Sequence, residues 1–174
     1  AVEAELAGLD NGAPEVVVTT AGRTPAMDNE FLREMTGGRT TSLDGPGGGE
    51  LIDDVYEVAQ RIDAPTNVVV DPANPLERTG KRRAYQEVLN LLKAKLMEAE
   101  GVGVLHCITS AETPELRETT LTVADVVWEL DLVEQSDSVE HQLLVPKNRH
   151  GTAVLEETTL VFDRDVYVDD SWNI

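Results

Sequence analysis

The sequence holds a single cysteine, Cys107, in 174 residues. No intramolecular disulfide and no cysteine-built zinc cluster can form within it. Cys107 lies in an apolar run and reads as a small buried hydrophobe rather than a nucleophile. Lysine is nearly as scarce, with only Lys81, Lys93, Lys95 and Lys147. In all, 14 basic residues face 33 acidic ones, for a formal charge of −19. That balance argues against a nucleic-acid partner, because phosphate backbones are bound by an excess of Lys and Arg. The one basic cluster, Lys81-Arg82-Arg83, reads as a helix start balanced by nearby acids. No apolar stretch approaches the roughly 18 residues that cross a bilayer, and no signal-peptide core is present. A cytoplasmic protein with no membrane partner is expected. The three histidines, His106, His141 and His150, show no metal-ligand spacing.

The hydrophobic and charged fractions, 41% and 27%, are ordinary for a folded chain, and the length suits one domain with a substantial core. The acids are spread between apolar positions instead of gathered in a tail, which points to a folded body with an acidic surface. With few aromatics and many Ala, Val, Thr and Gly, the composition resembles that of salt-accumulating halophilic archaea. In molar salt the Debye length is about 3 Å, so carboxylate repulsion is largely screened. In dilute buffer it destabilises the compact state. An acidic protein of an ordinary mesophile is the alternative.

Periodicity orders the elements. Val2, Leu6 and Leu9 share a helical face that Asn11-Gly12 stops. "EVVVTT", Glu15 to Thr20, reads as a buried strand. Ala26 to Thr36 fits a helix ended by Gly37-Gly38, and "RTTSL" is a weaker strand. Glu50 to Asp63 fits a helix with Leu51, Val55, Val58 and Ile62 on one face. "NVVVD" is the second firm strand. Lys81 to Glu100 fits a helix with Tyr85, Val88, Leu89, Leu92 and Leu96 at 3-and-4 spacing. "GVGVLHCI" is the third firm strand. Strand–helix alternation predicts βαβ crossovers and a mostly parallel sheet flanked by helices. "DVVWELDLVE", "SVEHQLLVPK", "TTLVF" and "VYV" then follow with only short turns, so an antiparallel meander on one edge is expected.

Three constellations could carry chemistry. Asp71 ends an apolar strand, where open α/β sheets bind ligands. It could hold the water shell of Mg²⁺ or merely cap a turn. "HCITSAE" places His106, Thr109, Ser110 and Glu112 at the tip of the next strand, on the same rim, where they could sense a phosphate or orient a water. In "VPKNRHG", Lys147 and Arg149 stand two apart at a strand end, and period-2 geometry puts them on one face. They form an anion site or pair with surrounding carboxylates, the latter worth little.

Taken in order, "NVVVD", "RRAYQEVLNLLKAKL", "GVGVLHC", "ADVVWEL" and "LLVPKNRHG" resemble the second half of a RecA-superfamily core, and more narrowly the KaiC-like and RadA-related ATPases of archaea. "VTTAGRTP" resembles that family's strand after its first helix. The resemblance implies an α/β RecA-like domain over residues 1–174 with C-terminal antiparallel strands. It makes Asp71 the Walker B residue and magnesium ligand, with a polar sensor in His106 to Ser110. Lys147 and Arg149 would reach the nucleotide of a neighbouring subunit. Mg²⁺ and ATP are the implied ligands.

The departures carry as much weight. There is no G-x-x-x-x-G-K-[ST] loop to cradle phosphates. "GPGGGE", Gly45 to Glu50, lacks the Lys and Ser/Thr, and the family's loop would lie just before residue 1. Where the family carries a water-polarising glutamate, this chain has Ala21-Gly22-Arg23. Phosphoryl transfer depends on positioning and charge stabilisation, so the expectation is a degenerate domain without catalytic residues. It would act as a regulatory or signalling module that self-associates or docks on an active paralogue. Two alternatives stand beside it: an active ATPase whose phosphate loop lies upstream, and a scaffold that has lost nucleotide altogether.

Overall fold

The computed structural model describes residues 15–21, 39–43, 48–134, 139–162 and 166–168. The helices expected at Ala1–Leu9 and Ala26–Thr36 lie outside the described residues. The chain divides into two compact units, Ala1–Val123 and Ala124–Ile174.

In the first unit the β-branched runs become strands β1 (Glu15–Ala21), β2 (Arg39–Leu43), β3 (Thr66–Asp71) and β4 (Gly103–Leu105). They form one parallel sheet in the order β2-β1-β3-β4. Strand β3 is central and buried along its whole length. This is why it reads as consecutive valines instead of an alternation. Helix α3 (Arg82–Glu98) supplies the stripe read from periodicity, whereas helix α1 (Gly48–Gln60) ends before Ile62, and its Val58 is only partly buried. Leu51, Ile52, Val55 and Ala59 of α1 join Tyr85, Val88, Leu89, Leu92 and Leu96 of α3 over Val68 and Val70. The exposed face of α3 carries Arg83, whose Nε donates to Glu87 at 2.9 Å. The basic cluster at this helix start is thus partly balanced by a neighbouring acid.

Two short helices carry no apolar stripe and were not expected: α2 (Asn74–Glu77) and α4 (Arg117–Val123). Strand β4 is also shorter than the run "GVGVLHCI" suggests. Its partner β3 ends at Asp71-Pro72, a cis peptide, and Pro72 has no N–H to extend a ladder. From His106 onward the chain follows irregular backbone beside α2.

In the second unit, β5 (Val126–Glu134), β6 (Val139–Asn148), β7 (Val154–Phe162) and β8 (Val166–Val168) form an antiparallel sheet in chain order. The expected meander is therefore present. It is a sheet of its own, however, and not an edge of the parallel one. Each strand pairs with the one before it in the chain, so Glu134 meets Val139 and Phe162 meets Val166. Register shifts interrupt β5 between Val127 and Glu129, and β6 between Leu143 and Val145. His141 and Phe162 pack across the sheet with ring centroids 4.4 Å apart and planes tilted by 53°.

Candidate functional site

Strand β3 delivers Asp71 to the C-terminal rim of the parallel sheet, in register with Thr20 of β1. The carboxylate is not presented to solvent: Asp71 is 1% exposed, and its Oδ1 lies 2.6 Å from Nδ1 of His106. An ionised carboxylate can only accept, so against it Nδ1 is the donor. The backbone of His106 is held on both sides. Its N–H donates to Val70 O at 2.9 Å, and its carbonyl accepts from the Ala73 N–H at 2.7 Å. The imidazole itself is 46% exposed. Asp71 and His106, read separately as a metal residue and a sensor, are therefore one hydrogen-bonded pair.

For Mg²⁺ the required donors are oxygens that leave room for bound water. Asp71 offers oxygen, but it is covered and engaged by an imidazole donor. Breaking a hydrogen bond to a charged group costs about 1.5–3 kcal/mol. The residues present do not fit a hydrated Mg²⁺ held directly by Asp71.

The loop after His106 runs alongside α2 and is fastened to it repeatedly. Asn74 Nδ2 donates to Ile108 O, and its Oδ1 accepts from the Ile108 N–H, both at 2.8 Å. Arg78 donates a guanidinium N–H to Ser110 Oγ at 3.3 Å, while Ser110 donates to Glu112 O at 2.7 Å. Thr109 and Ser110 are exposed. The structure thus places His106, Thr109 and Ser110 on one rim and adds Arg78, which sequence reasoning passed over.

Beneath the rim lies a polar cluster built on Glu77, whose side chain is 0% exposed. Arg117 Nε donates to both carboxylate oxygens, at 2.8 and 2.9 Å. The Thr120 hydroxyl donates to Oε1 at 2.6 Å. With its only proton so used, Thr120 must accept from the Tyr85 hydroxyl 2.7 Å away. Cys107 Sγ lies 3.6 Å from Oε1. Burial pushes the Cys107 thiol up to about 12, and the Glu77 carboxylate adds to the shift. That keeps the thiol protonated, but Cys107 is half-buried against a carboxylate and is not the small buried hydrophobe that its apolar run suggests. Burial likewise raises the Tyr85 phenol. Burial works against the charge on Arg117, yet its hydrogen bonds to Glu77 and the surrounding groups leave its pKa raised. No local signal marks Glu77, since a buried carboxylate looks like any surface acid until its partners, some 40 residues on, are folded against it.

Lys147 and Arg149 belong to the second unit. Lys147 lies on β6 opposite Val127. The strand ends at Asn148, so Arg149 falls in the turn beyond it, outside the period-2 pattern. Its N–H donates to Asp125 O at 2.8 Å, and its Nε lies 3.0 Å from Asp125 Oδ1. Asp125 therefore claims part of the cation expected for an anion site.

Residues 3–174 match a family of unknown function, DUF7125. The chain belongs to DUF7125. No curated protein matches it. Among solved structures, this DUF7125 chain is similar to a KaiC-like protein, PH0186, from the hyperthermophilic archaeon Pyrococcus horikoshii OT3. The identity is 18% and the TM-score 0.57, with 91% of this chain and 79% of that chain covered. The likeness establishes a RecA/KaiC-like α/β fold for this DUF7125 member. No helix of the described residues is long and apolar enough to cross a membrane.

Proposed function

We propose that this protein is a regulatory KaiC-like module from a salt-accumulating organism that binds nucleotide with little or no hydrolysis. The observation that carries this reading is the register of β1 against β3. Thr20 sits opposite Asp71, and the strand then ends at Ala21. Among the described residues, the end of β1 beside Asp71 thus carries Thr20 and Ala21 and no carboxylate to polarise an attacking water. The nucleotide-facing groups in this reading are His106, Thr109 and Ser110 on the first unit, with the Asp71 carboxylate behind them. Lys147 and Arg149 act separately, in trans, on the phosphates of a neighbouring copy or paralogue, as an arginine finger does. Protein association is supported by edge strand β5, where Val126, Trp128, Leu130 and Leu132 are all exposed at every second position. An edge strand with one exposed apolar face offers a surface for association.

The test is a thermal-shift titration with ATP in molar KCl, run beside a phosphate-release assay. Saturation at 100 times Kd stabilises the folded state by about 2.7 kcal/mol, so a raised midpoint with background turnover is expected. Robust ATP turnover abolished by Asp71→Ala would overturn the proposal in favour of an active ATPase. A flat titration would leave a scaffold without nucleotide.

A further inference from the structure

We infer that Asp71 is a positioning residue for His106 instead of a metal carboxylate, and that the rim takes a polyphosphate without a divalent cation. The second half of this inference rests on the nucleotide reading above; the first half does not.

Three features of the site converge on it. First, the acceptor is buried and the donor is not. Asp71 is 1% exposed and His106 46%, with 2.6 Å between Oδ1 and Nδ1. A magnesium carboxylate needs the opposite arrangement, with an oxygen facing a hydrated ion. Second, the imidazole is held in place by its own backbone. The two main-chain hydrogen bonds to Val70 and Ala73 fix the Cα of His106 beside the end of β3. Lifting the ring off Asp71 would therefore require the side chain to rotate against a fixed frame. A carboxylate on Nδ1 is the usual means by which a protein sets the tautomer and direction of a histidine, leaving Nε2 on the far side of the ring. Third, the residues beyond His106 are anion-binding types. The exposed Thr109 and Ser110 follow on the same loop, and the Arg78 guanidinium reaches Ser110 at 3.3 Å. The same loop is fastened to α2 through the paired Asn74–Ile108 bonds. Arg78 brings to this rim the cationic charge that a metal would otherwise supply.

The decisive experiment follows the His106 ring by long-range ¹H–¹⁵N correlation in molar KCl. The expected pattern has the proton on Nδ1 and is unchanged by millimolar Mg²⁺. Trace Mn²⁺ should broaden the ring signals no more in wild type than in Asp71→Asn. Mn²⁺ broadening present in wild type and lost in Asp71→Asn would overturn the assignment, as would a Mg²⁺-induced shift of the ring nitrogens in wild type alone. In parallel, the ATP-induced rise in midpoint should be the same in EDTA as in Mg²⁺, and should be lost in Arg78→Ala. A rise seen only with Mg²⁺ refutes metal-free binding. No rise in either condition refutes the nucleotide reading itself, while the ring spectra still decide the role of Asp71.

Discussion

Glu77 sets the terms of stability at the residue scale. Its carboxylate is fully buried, and the side chain of its charged partner, Arg117, is only 16% exposed. Such a pair adds little over an apolar isostere but is costly to break, because the survivor is left with a buried charge. Glu77→Ala should destabilise the first unit by about 3–5 kcal/mol, read as a lowered urea midpoint in molar KCl. A loss below about 1 kcal/mol, the size of an exposed pair, would mean that water reaches the Arg117 guanidinium. The cluster also ties functional and structural residues together. Glu77 ends α2, which begins three residues after Asp71, and accepts through its own main-chain carbonyl from the Leu116 N–H at 3.1 Å. The floor of the rim and the start of α4 are therefore one hydrogen-bonded unit.

At the scale of elements, the junction between α3 and β4 holds the closest approach at any described glycine. Gly101 donates to Leu96 O at 2.8 Å, and a Cβ placed on it would meet Thr66 O at 1.8 Å and its carbonyl carbon at 2.9 Å. The obstacle is backbone of the central strand, which cannot yield as a side-chain tip does. Gly101→Ala should cost about 3 kcal/mol, whereas Met97→Ala on the exposed face of α3 should stay within about 0.5 kcal/mol. Urea unfolding of the two variants side by side checks both. The same elements show what a sequence can disclose. The valine run of β3 and the stripes of α1 and α3 are local patterns, and the structure follows them closely. Helix α4 was not legible, because its buried residues are Thr119 and Thr120 and so form no apolar stripe. The succession of runs without helices identified β5 and β6 as strands but not their sheet, since it shows which segments are extended and not which sheet they join. In the site, Asp71 was legible as the tip of a strand. Its bond to His106 was not, because the two lie 35 positions apart and meet only through the pairing of β3 with β4.

For the whole molecule, the charge of −19 dominates the response to solvent. Exposed pairs such as Arg61–Glu57 and Lys95–Glu98 offset few of the carboxylates, and most of the repulsion is left to dissolved ions. Raising KCl from 0.1 to 3 M should lift the thermal midpoint by several degrees, given that about 1 kcal/mol moves a chain of this size by roughly 4 °C. A midpoint that stays level or falls would count against the halophilic reading. The two sheets also differ in how they can assemble. Those of the second unit join neighbours in the chain, Phe162 to Val166 and Glu134 to Val139 being short closures. The parallel sheet has no such start. Its central ladder must bring Glu15 to Thr66 while β2 is threaded to the opposite side of β1. Ladders of that kind bear the full entropy of loop closure before any contact repays it, and they are slow to nucleate. The strand that carries the candidate site is thus the one whose formation waits on the most distant parts of its unit.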